Sequence, residues 1–269
     1  MVKYTYLTRN RGMGMELWTS EHIKTLLPAI GIMLVLAAVL RLTLGKKQWK
    51  VRMIPFQILA VVLLILEIGK QAVSLSRGYD LYHLPFHFCS LFLFMVPLMA
   101  FYRGKGEGTV RAITASICAS LFLLMIIYPN LIYSAGNINE FFKEYLSFHT
   151  VAFHNVVMME FLLIVALDLH TPAPKGEPKA AALFTLCFCA VSATMAQLLK
   201  TNYANYYSCN IPALEQVRLS VQEVLGAGLT KLIYILIVSA LNLLFVQLSY
   251  WLYRLARKML GSKNPVRTE

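Results

Sequence analysis

Seven long apolar stretches run through this chain, and each has the length of a helix that crosses a lipid bilayer. They cover residues 24–43, 54–75, 84–102, 111–133, 148–168, 179–199 and 229–253. About 20 apolar residues cross the hydrocarbon core as a helix, whereas strands of a membrane barrel would alternate apolar with polar residues. Of the 269 residues, 58% are hydrophobic and only 14% are charged. We predict an all-α polytopic membrane protein, a bundle of seven transmembrane helices that forms a single integral membrane domain over residues 1–269.

Basic residues are twice as frequent in the first, third and fifth loops and the tail as on the opposite side of the predicted bundle. Because cytoplasmic loops carry an excess of lysine and arginine, we predict a multi-pass protein of the cell membrane with a cytoplasmic C-terminus and an external N-terminus. This topology, with contact to anionic lipid headgroups, also accounts for the net charge of +12. The expected partners are membrane phospholipids and not nucleic acid, and the sequence leaves the oligomeric state open.

A shorter segment, residues 211–226, has the pattern of an amphipathic helix. Leu214, Val217, Val221 and Leu225 recur at helical spacing, and charged residues occupy the other faces. We predict that this helix lies in the membrane interface. It could cover a polar site, contact lipid or serve as a packed connector.

Polar residues collect at the same end of most of the predicted helices. In chain order they are His22, Glu67, Gln71, His87, Cys89, Asn130, His149, His154, Asn202 and Tyr203. If the helices alternate in direction, all of them lie on one side of the membrane. Polar groups in membrane segments are costly and by default indicate a functional site. With the topology above, they predict a polar pocket at the outer face.

Cys89 and His154 lie at similar depths in two of the predicted helices. At 1.5 Å per residue, they lie roughly 7 Å and 9 Å below the helix starts. An imidazole beside a thiol could take its proton, and the thiolate is the reactive nucleophile. The other interpretation is a packed cysteine and a hydrogen-bonded structural histidine.

Three further patterns leave alternatives open. His83 and His87 have helical spacing for two zinc ligands, which Cys89 or His154 might complete. Cys89 and Cys209 could form a disulfide in an oxidising compartment. Finally, Glu67, Lys70 and Gln71 share one helix face, where they could neutralise one another or bind a lipid headgroup.

Four segments carry a resemblance to a known family. They are residues 20–26 (SEHIKTL), residues 84–91 (LPFHFCSL), the Phe153-His154 pair and the Asn202-Tyr203 pair. In this order, over roughly 15–230, they resemble the YwaF-like bacterial integral membrane proteins, which are related to the eukaryotic transmembrane protein 164 family. The resemblance implies a cysteine-centred acyltransferase that moves fatty acyl chains between phospholipids. It places the catalytic cysteine at Cys89, in the Leu-Pro-x-x-x-Cys motif, and the partner histidine at His154.

The sequence therefore predicts a membrane-embedded lipid acyltransferase or acyl hydrolase. Cys89 would attack a phospholipid ester and His154 would serve as base. The residues expected to bind substrate or stabilise the oxyanion are His22, Glu67, Gln71, His87, Asn130, His149, Asn202 and Tyr203. We expect no metal and no organic cofactor. The alternative is a non-enzymatic transporter or a membrane protein that binds a small ligand or lipid.

Overall fold

The structure, a computed structural model, describes residues 18–167 and 176–259, and this part of the chain is helical. Its α-helices are α1 (Ser20–Leu44), α2 (Trp49–Ser76), α3 (Phe92–Phe101), α4 (Glu107–Ile127), α5 (Ala135–Asn139), α6 (Tyr145–Ala166), α7 (Glu177–Leu199), α8 (Pro212–Leu225) and α9 (Ala227–Met259). Short 3₁₀ turns occur at Leu81–His83, Phe88–Leu91, Pro129–Leu131 and Tyr203–Asn205. The predicted all-α class is confirmed for these residues, which contain no β-strand.

Six of these helices are long and apolar enough to cross a membrane: α1, α2, α4, α6, α7 and α9. Large apolar side chains such as Leu42 of α1 and Leu244 of α9 are exposed on the outside of the bundle. Such exposure is unfavourable in water but favourable against lipid tails, so these surfaces fit a bilayer. The protein is therefore a multi-pass membrane protein. Asp168, the last residue of the fifth predicted stretch, lies outside the described residues.

The third predicted stretch, 84–102, does not form one continuous helix. Its α-helical part, α3, has 10 residues, which corresponds to about 15 Å. Before it, Leu84 and His87 are extended, with ψ angles of 149° and 156°. Pro85 explains the extended Leu84, because a residue before proline avoids the helical region. The six spanning helices and the short α3 together occupy the seven predicted stretches.

Two predictions based on helical spacing therefore do not hold. Cys89 is not five residues into a regular helix but lies in the 3₁₀ turn Phe88–Leu91. His83 and His87 do not share a helix, because the chain is extended between them. The fourth stretch, 111–133, also ends early: α4 stops at Ile127 before Pro129, so Asn130 lies in a separate turn.

Helices α4 and α6 form the centre of the bundle. α4 packs against α3, α6, α7 and α9, and α6 also packs against α1 and α2. Small residues of α4, including Ala115, Ser116, Ala119 and Ser120, are buried and let neighbouring helices approach closely. This arrangement places the polar residues of α6 inside the protein.

Three arginines from three helices bind the C-terminal end of α6. Arg41, Arg52 and Arg257 donate hydrogen bonds of 2.8 Å, 3.1 Å and 3.1 Å to the carbonyls of Ala166, Leu167 and Val165. The last carbonyls of a helix have no partner within it, and a cation there also offsets the helix dipole. The ends of α1, α6 and α9 and the start of α2 therefore lie together, and the late residues of α2 lie at the opposite end.

The polar side of helix α8 contacts neighbouring parts of the chain. Glu215 forms an ion pair with Arg218 and accepts a hydrogen bond of 2.8 Å from the backbone amide of Cys209. None of its 14 residues is buried. A single residue, Gly226, joins it to α9 with a φ of 78°, a backbone conformation that favours glycine.

Candidate functional site

A carboxylate organises the polar residues at the end of the bundle opposite the arginines. Oε1 of Glu67 lies 2.7 Å from Nζ of Lys70 and accepts a hydrogen bond of 2.7 Å from Nε2 of Gln71. Its Oε2 lies 3.5 Å from Nε2 of His149 on α6. We call Glu67, Lys70, Gln71 and His149 the Glu67 cluster. One carboxylate and one ammonium balance in charge, which lowers the free energy of placing both groups in a membrane helix.

Next to this cluster, the chain between α2 and α3 is held by side chains from several elements. We call residues 81–87 the entry segment. Four of its carbonyls accept side-chain hydrogen bonds: Leu81 from Tyr203, Tyr82 from His87 (2.9 Å), His83 from Gln71 (3.0 Å) and Phe86 from Ser192 (2.7 Å). Non-helical backbone at membrane depth is tolerated where protein satisfies its polar groups. Gln71, His87 and Tyr203, all predicted to bind substrate, therefore hold the segment that leads to Cys89.

Cys89 follows the entry segment directly. It lies in the 3₁₀ turn Phe88–Leu91 and is half-buried. Cys89 therefore lies on a backbone that α7 and the chain after α7 hold in place.

His154 is buried on α6 and has a defined proton position. Its Nδ1 lies 2.6 Å from the carbonyl of Thr150. Because a carbonyl only accepts, Nδ1 carries the hydrogen, and Nε2 of the neutral ring keeps its lone pair. No hydrogen bond joins His154 to Cys89 in the part of the chain that the structure describes.

The remaining predicted residues shape neighbouring loops. His22 accepts from the backbone amide of Thr19 through Nδ1 and donates through Nε2 to the carbonyl of Tyr133, both at 3.0 Å. It thereby ties the start of α1 to the chain after α4. Asn202 accepts from two backbone amides at 3.2 Å and donates to Asn210. Asn130 is half-buried in its turn.

His83 lies at the edge of the site. Burial and then the positive charge of Lys70 lower its pKa, with Asp80 and Glu67 acting in the opposite sense. His83 is therefore neutral at physiological pH, and its ring adds no positive charge beside Lys70.

A family model matches most of the chain. The model of the TMEM164 family matches residues 17–250, which include Cys89, His154 and the Glu67 cluster. The chain belongs to the TMEM164 family. This confirms the family relation that the sequence motifs indicated. No curated protein and no solved structure matches the chain.

The two alternatives for the cysteines and histidines have no support in this TMEM164 family member. Within 18–167 and 176–259, no three histidine, cysteine or acidic side chains lie close enough together to hold a metal ion. Cys89 and Cys209 are both free thiols. The alternative that Glu67, Lys70 and Gln71 neutralise one another agrees with the contacts of Glu67.

Two residues of the site were absent from the predicted set. Lys70 was noted on one helix face with Glu67 and Gln71 but was not included among the residues expected to bind substrate, although its spacing to Glu67 is that of a helical ion pair. Ser192 gave no such signal. Its partner, Phe86, lies 106 positions away, and a serine in an apolar helix usually bonds to its own helix.

Proposed function

We propose that this protein is a membrane-embedded enzyme that removes an acyl chain from a phospholipid ester and passes it to another lipid or to water. Cys89 is the nucleophile and His154 the base. The observation that carries the proposal is the hydrogen bond from Nδ1 of His154 to Thr150, 2.6 Å long. It leaves Nε2 as an acceptor for the thiol proton. Membership of the TMEM164 family and the motif around Cys89 support the same assignment.

In the first step, Nε2 of His154 takes the thiol proton as Sγ of Cys89 attacks the ester carbonyl. The carbon–oxygen ester bond breaks, a thioester forms, and His154 gives its proton to the departing lysophospholipid oxygen. In the second step, a hydroxyl or water attacks the thioester, the carbon–sulfur bond breaks, and the proton of the attacking group passes to the departing thiolate, which restores Cys89. Catalytic hydrogen bonds are often long without substrate and shorten when it binds. The proposal therefore includes an approach of His154 to Cys89 when substrate binds.

The site is proposed to open as a polar pocket at the outer face. The Glu67 cluster combines a carboxylate, an ammonium, an amide and an imidazole, and it borders the headgroup side of the pocket. Gln71, His87 and Tyr203 hold the entry segment, while His22, Asn130 and Asn202 shape the rim. No cofactor takes part in this scheme.

Deleting the nucleophile tests the mechanism. Purified protein in phospholipid nanodiscs is assayed by lipid mass spectrometry for lysophospholipid and for acyl exchange. Cys89→Ala should abolish turnover, and His154→Ala should lower the rate by roughly 10²–10⁴-fold. Cys187→Ala is the matched control, because Cys187 is exposed on the outside of α7. Wild-type turnover in Cys89→Ala would exclude a covalent mechanism through this thiol.

We propose a seven-crossing topology in which residues 88–101 make the third crossing. An odd number of crossings places the two termini on opposite sides of the membrane, and we propose that the N-terminus is outside and the C-terminus in the cytoplasm. The arginine-rich end of the bundle supports this orientation, since Arg41, Arg52 and Arg257 all lie there. In a background without other cysteines, Glu140→Cys should react with an impermeant maleimide in intact cells. Lys258→Cys should react only after permeabilisation, and the reverse pattern would overturn the topology.

A second candidate is a non-enzymatic membrane protein that binds lipid or a small ligand, or transports it. The lack of a hydrogen bond between Cys89 and His154 within the described residues favours this candidate. It predicts saturable binding of a fluorescent phospholipid by both the wild type and Cys89→Ala. No lysophospholipid would form with either protein.

A further inference from the structure

His149 has the geometry of a histidine oriented by a carboxylate. Its side chain is 9% exposed, and its Nε2 lies 3.5 Å from Oε2 of Glu67. Nε2 is fully buried and makes no hydrogen bond that meets strict geometry. In the neutral form of this ring, the nitrogen that faces the carboxylate oxygen carries the hydrogen, so Nδ1 keeps the lone pair. Nδ1 has no hydrogen-bond partner in the part of the chain that the structure describes.

Glu67 is itself fixed by its neighbours. Lys70 and Gln71 occupy its other oxygen, at 2.7 Å each. Gln71 in turn accepts from the hydroxyl of Tyr79 at 2.8 Å and donates to the carbonyl of His83. A carboxylate held in this way leaves one oxygen directed at one imidazole. A base that a third group orients is the arrangement that activates nucleophiles in acyl transfer.

His149 and His154 differ in position and in hydrogen-bond partner, so they cannot have the same chemical role. They are five positions apart on α6, which separates them by about 7.5 Å along the axis and roughly 140° around it. His149 is nearer the start of the helix and therefore nearer the membrane surface. His154 lies deeper, and its Nδ1 bonds to a helix carbonyl instead of a carboxylate.

We propose that the two histidines serve different half-reactions, with His149 as the base that activates the acyl acceptor and Glu67 as its positioning residue. This inference rests on the proposed function. Nδ1 of His149 takes a proton from the acceptor, a water molecule, as the water oxygen attacks the thioester on Cys89. The carbon–sulfur bond breaks, the fatty acid leaves, and the departing thiolate receives the same proton from His149. The water enters from the headgroup region, where His149 lies, whereas transfer back to a lysophospholipid is the reverse of thioester formation and uses His154.

The test separates formation of the thioester from its discharge. Full-length protein in nanodiscs is mixed with a phospholipid that carries a fluorescent acyl chain, and hydroxylamine-sensitive fluorescence on the protein is measured after an acid quench. Release of the fluorescent fatty acid from the labelled protein is then followed. The variants are His149→Gln, Glu67→Gln and His154→Gln. Glu223→Gln, an exposed carboxylate of α8, is the matched control.

His149→Gln and Glu67→Gln should still acquire the label, which also shows that both are folded. Their discharge to water, measured as release of fluorescent fatty acid, should be slower by at least about 10²-fold. His154→Gln should instead slow labelling. Discharge of His149→Gln at the wild-type rate, or loss of labelling in it, would overturn the division of roles. A wild-type protein that never acquires label would overturn the proposed function itself.

Discussion

The hydroxyl of Ser192 in α7 donates a hydrogen bond of 2.7 Å to the carbonyl of Phe86, 106 positions earlier in the chain. This bond joins a spanning helix to the non-helical entry segment, three residues before Cys89. The location of Cys89, the proposed nucleophile, therefore depends on α7 as well as on the 3₁₀ turn in which it lies. Polar side chains of this kind satisfy backbone that would otherwise lose hydrogen bonds in a membrane.

Removal of the Ser192 hydroxyl should destabilise the protein. Ser192→Ala leaves the partly buried Phe86 carbonyl without this partner, which should cost about 1–3 kcal/mol and lower the thermal midpoint in detergent. Thr194→Ala is the control, because the Thr194 hydroxyl bonds only to its own helix, at Ala190. Equal midpoints for the two variants would contradict the role given to Ser192.

A methyl group at Gly69 should separate α2 from α6. A Cβ there would overlap the hydroxyl of Tyr145, which donates a hydrogen bond of 3.1 Å to the carbonyl of Leu66. Gly69→Ala should therefore lower stability by about 1–3 kcal/mol and weaken turnover, because Glu67 and His149 lie on the same two helices. Gly31→Ala, at a position with no atom within 4 Å, should be neutral. Thermal denaturation and the lipid assay measure the two effects.

Replacement of Glu160 should stabilise the protein. Both carboxyl oxygens are buried without a hydrogen bond among the described residues, and such groups carry an uncompensated desolvation cost of about 1–3 kcal/mol. Glu160→Met has a similar volume and should raise the thermal midpoint.

Glu107→Met provides the contrast for Glu160. Glu107 is paired with Arg111 at 2.7 Å, so its loss leaves a cation without this partner and should lower the midpoint. A lower midpoint for Glu160→Met would show that the carboxyl contributes to stability.

Low pH should weaken the contact between α8 and the chain that precedes it. Hydrogen bonds from Arg218, opposed by burial and aided by the amide of Cys209, hold the pKa of Glu215 below its ordinary value. A lowered folded pKa means that the stabilisation is complete above the ordinary carboxyl range of about 4–5 and is lost as pH falls through the lowered value. Hydrogen exchange of residues 205–225, corrected for intrinsic rates, should therefore rise below about pH 4. Glu215→Gln should remove this pH dependence, and a wild-type profile in that variant would contradict the assignment.

The sequence contains a signal that would have located the non-helical segment before Cys89. Pro85 signals an extended Leu84, but the apolar run 84–102 hides the break when hydropathy alone is considered. The histidines were singled out from the sequence because imidazoles are rare in lipid. The hydrogen-bond partners of these histidines were not predicted. Bonds such as that from Gln71 to the His83 carbonyl depend on how the folded segments pack together.

The sequence by itself determined that the chain is a helical membrane protein of the TMEM164 family with polar residues near one end of its helices. Apolar length and residue order along the chain are local properties that need no knowledge of packing. Only the tertiary structure decided that Gln71, His87, Ser192 and Tyr203 satisfy the backbone of the entry segment. It also decided that Glu67 faces His149. The physical reason is that a buried polar group takes whichever partner the folded helices bring within about 3 Å, and that partner can lie anywhere in the chain.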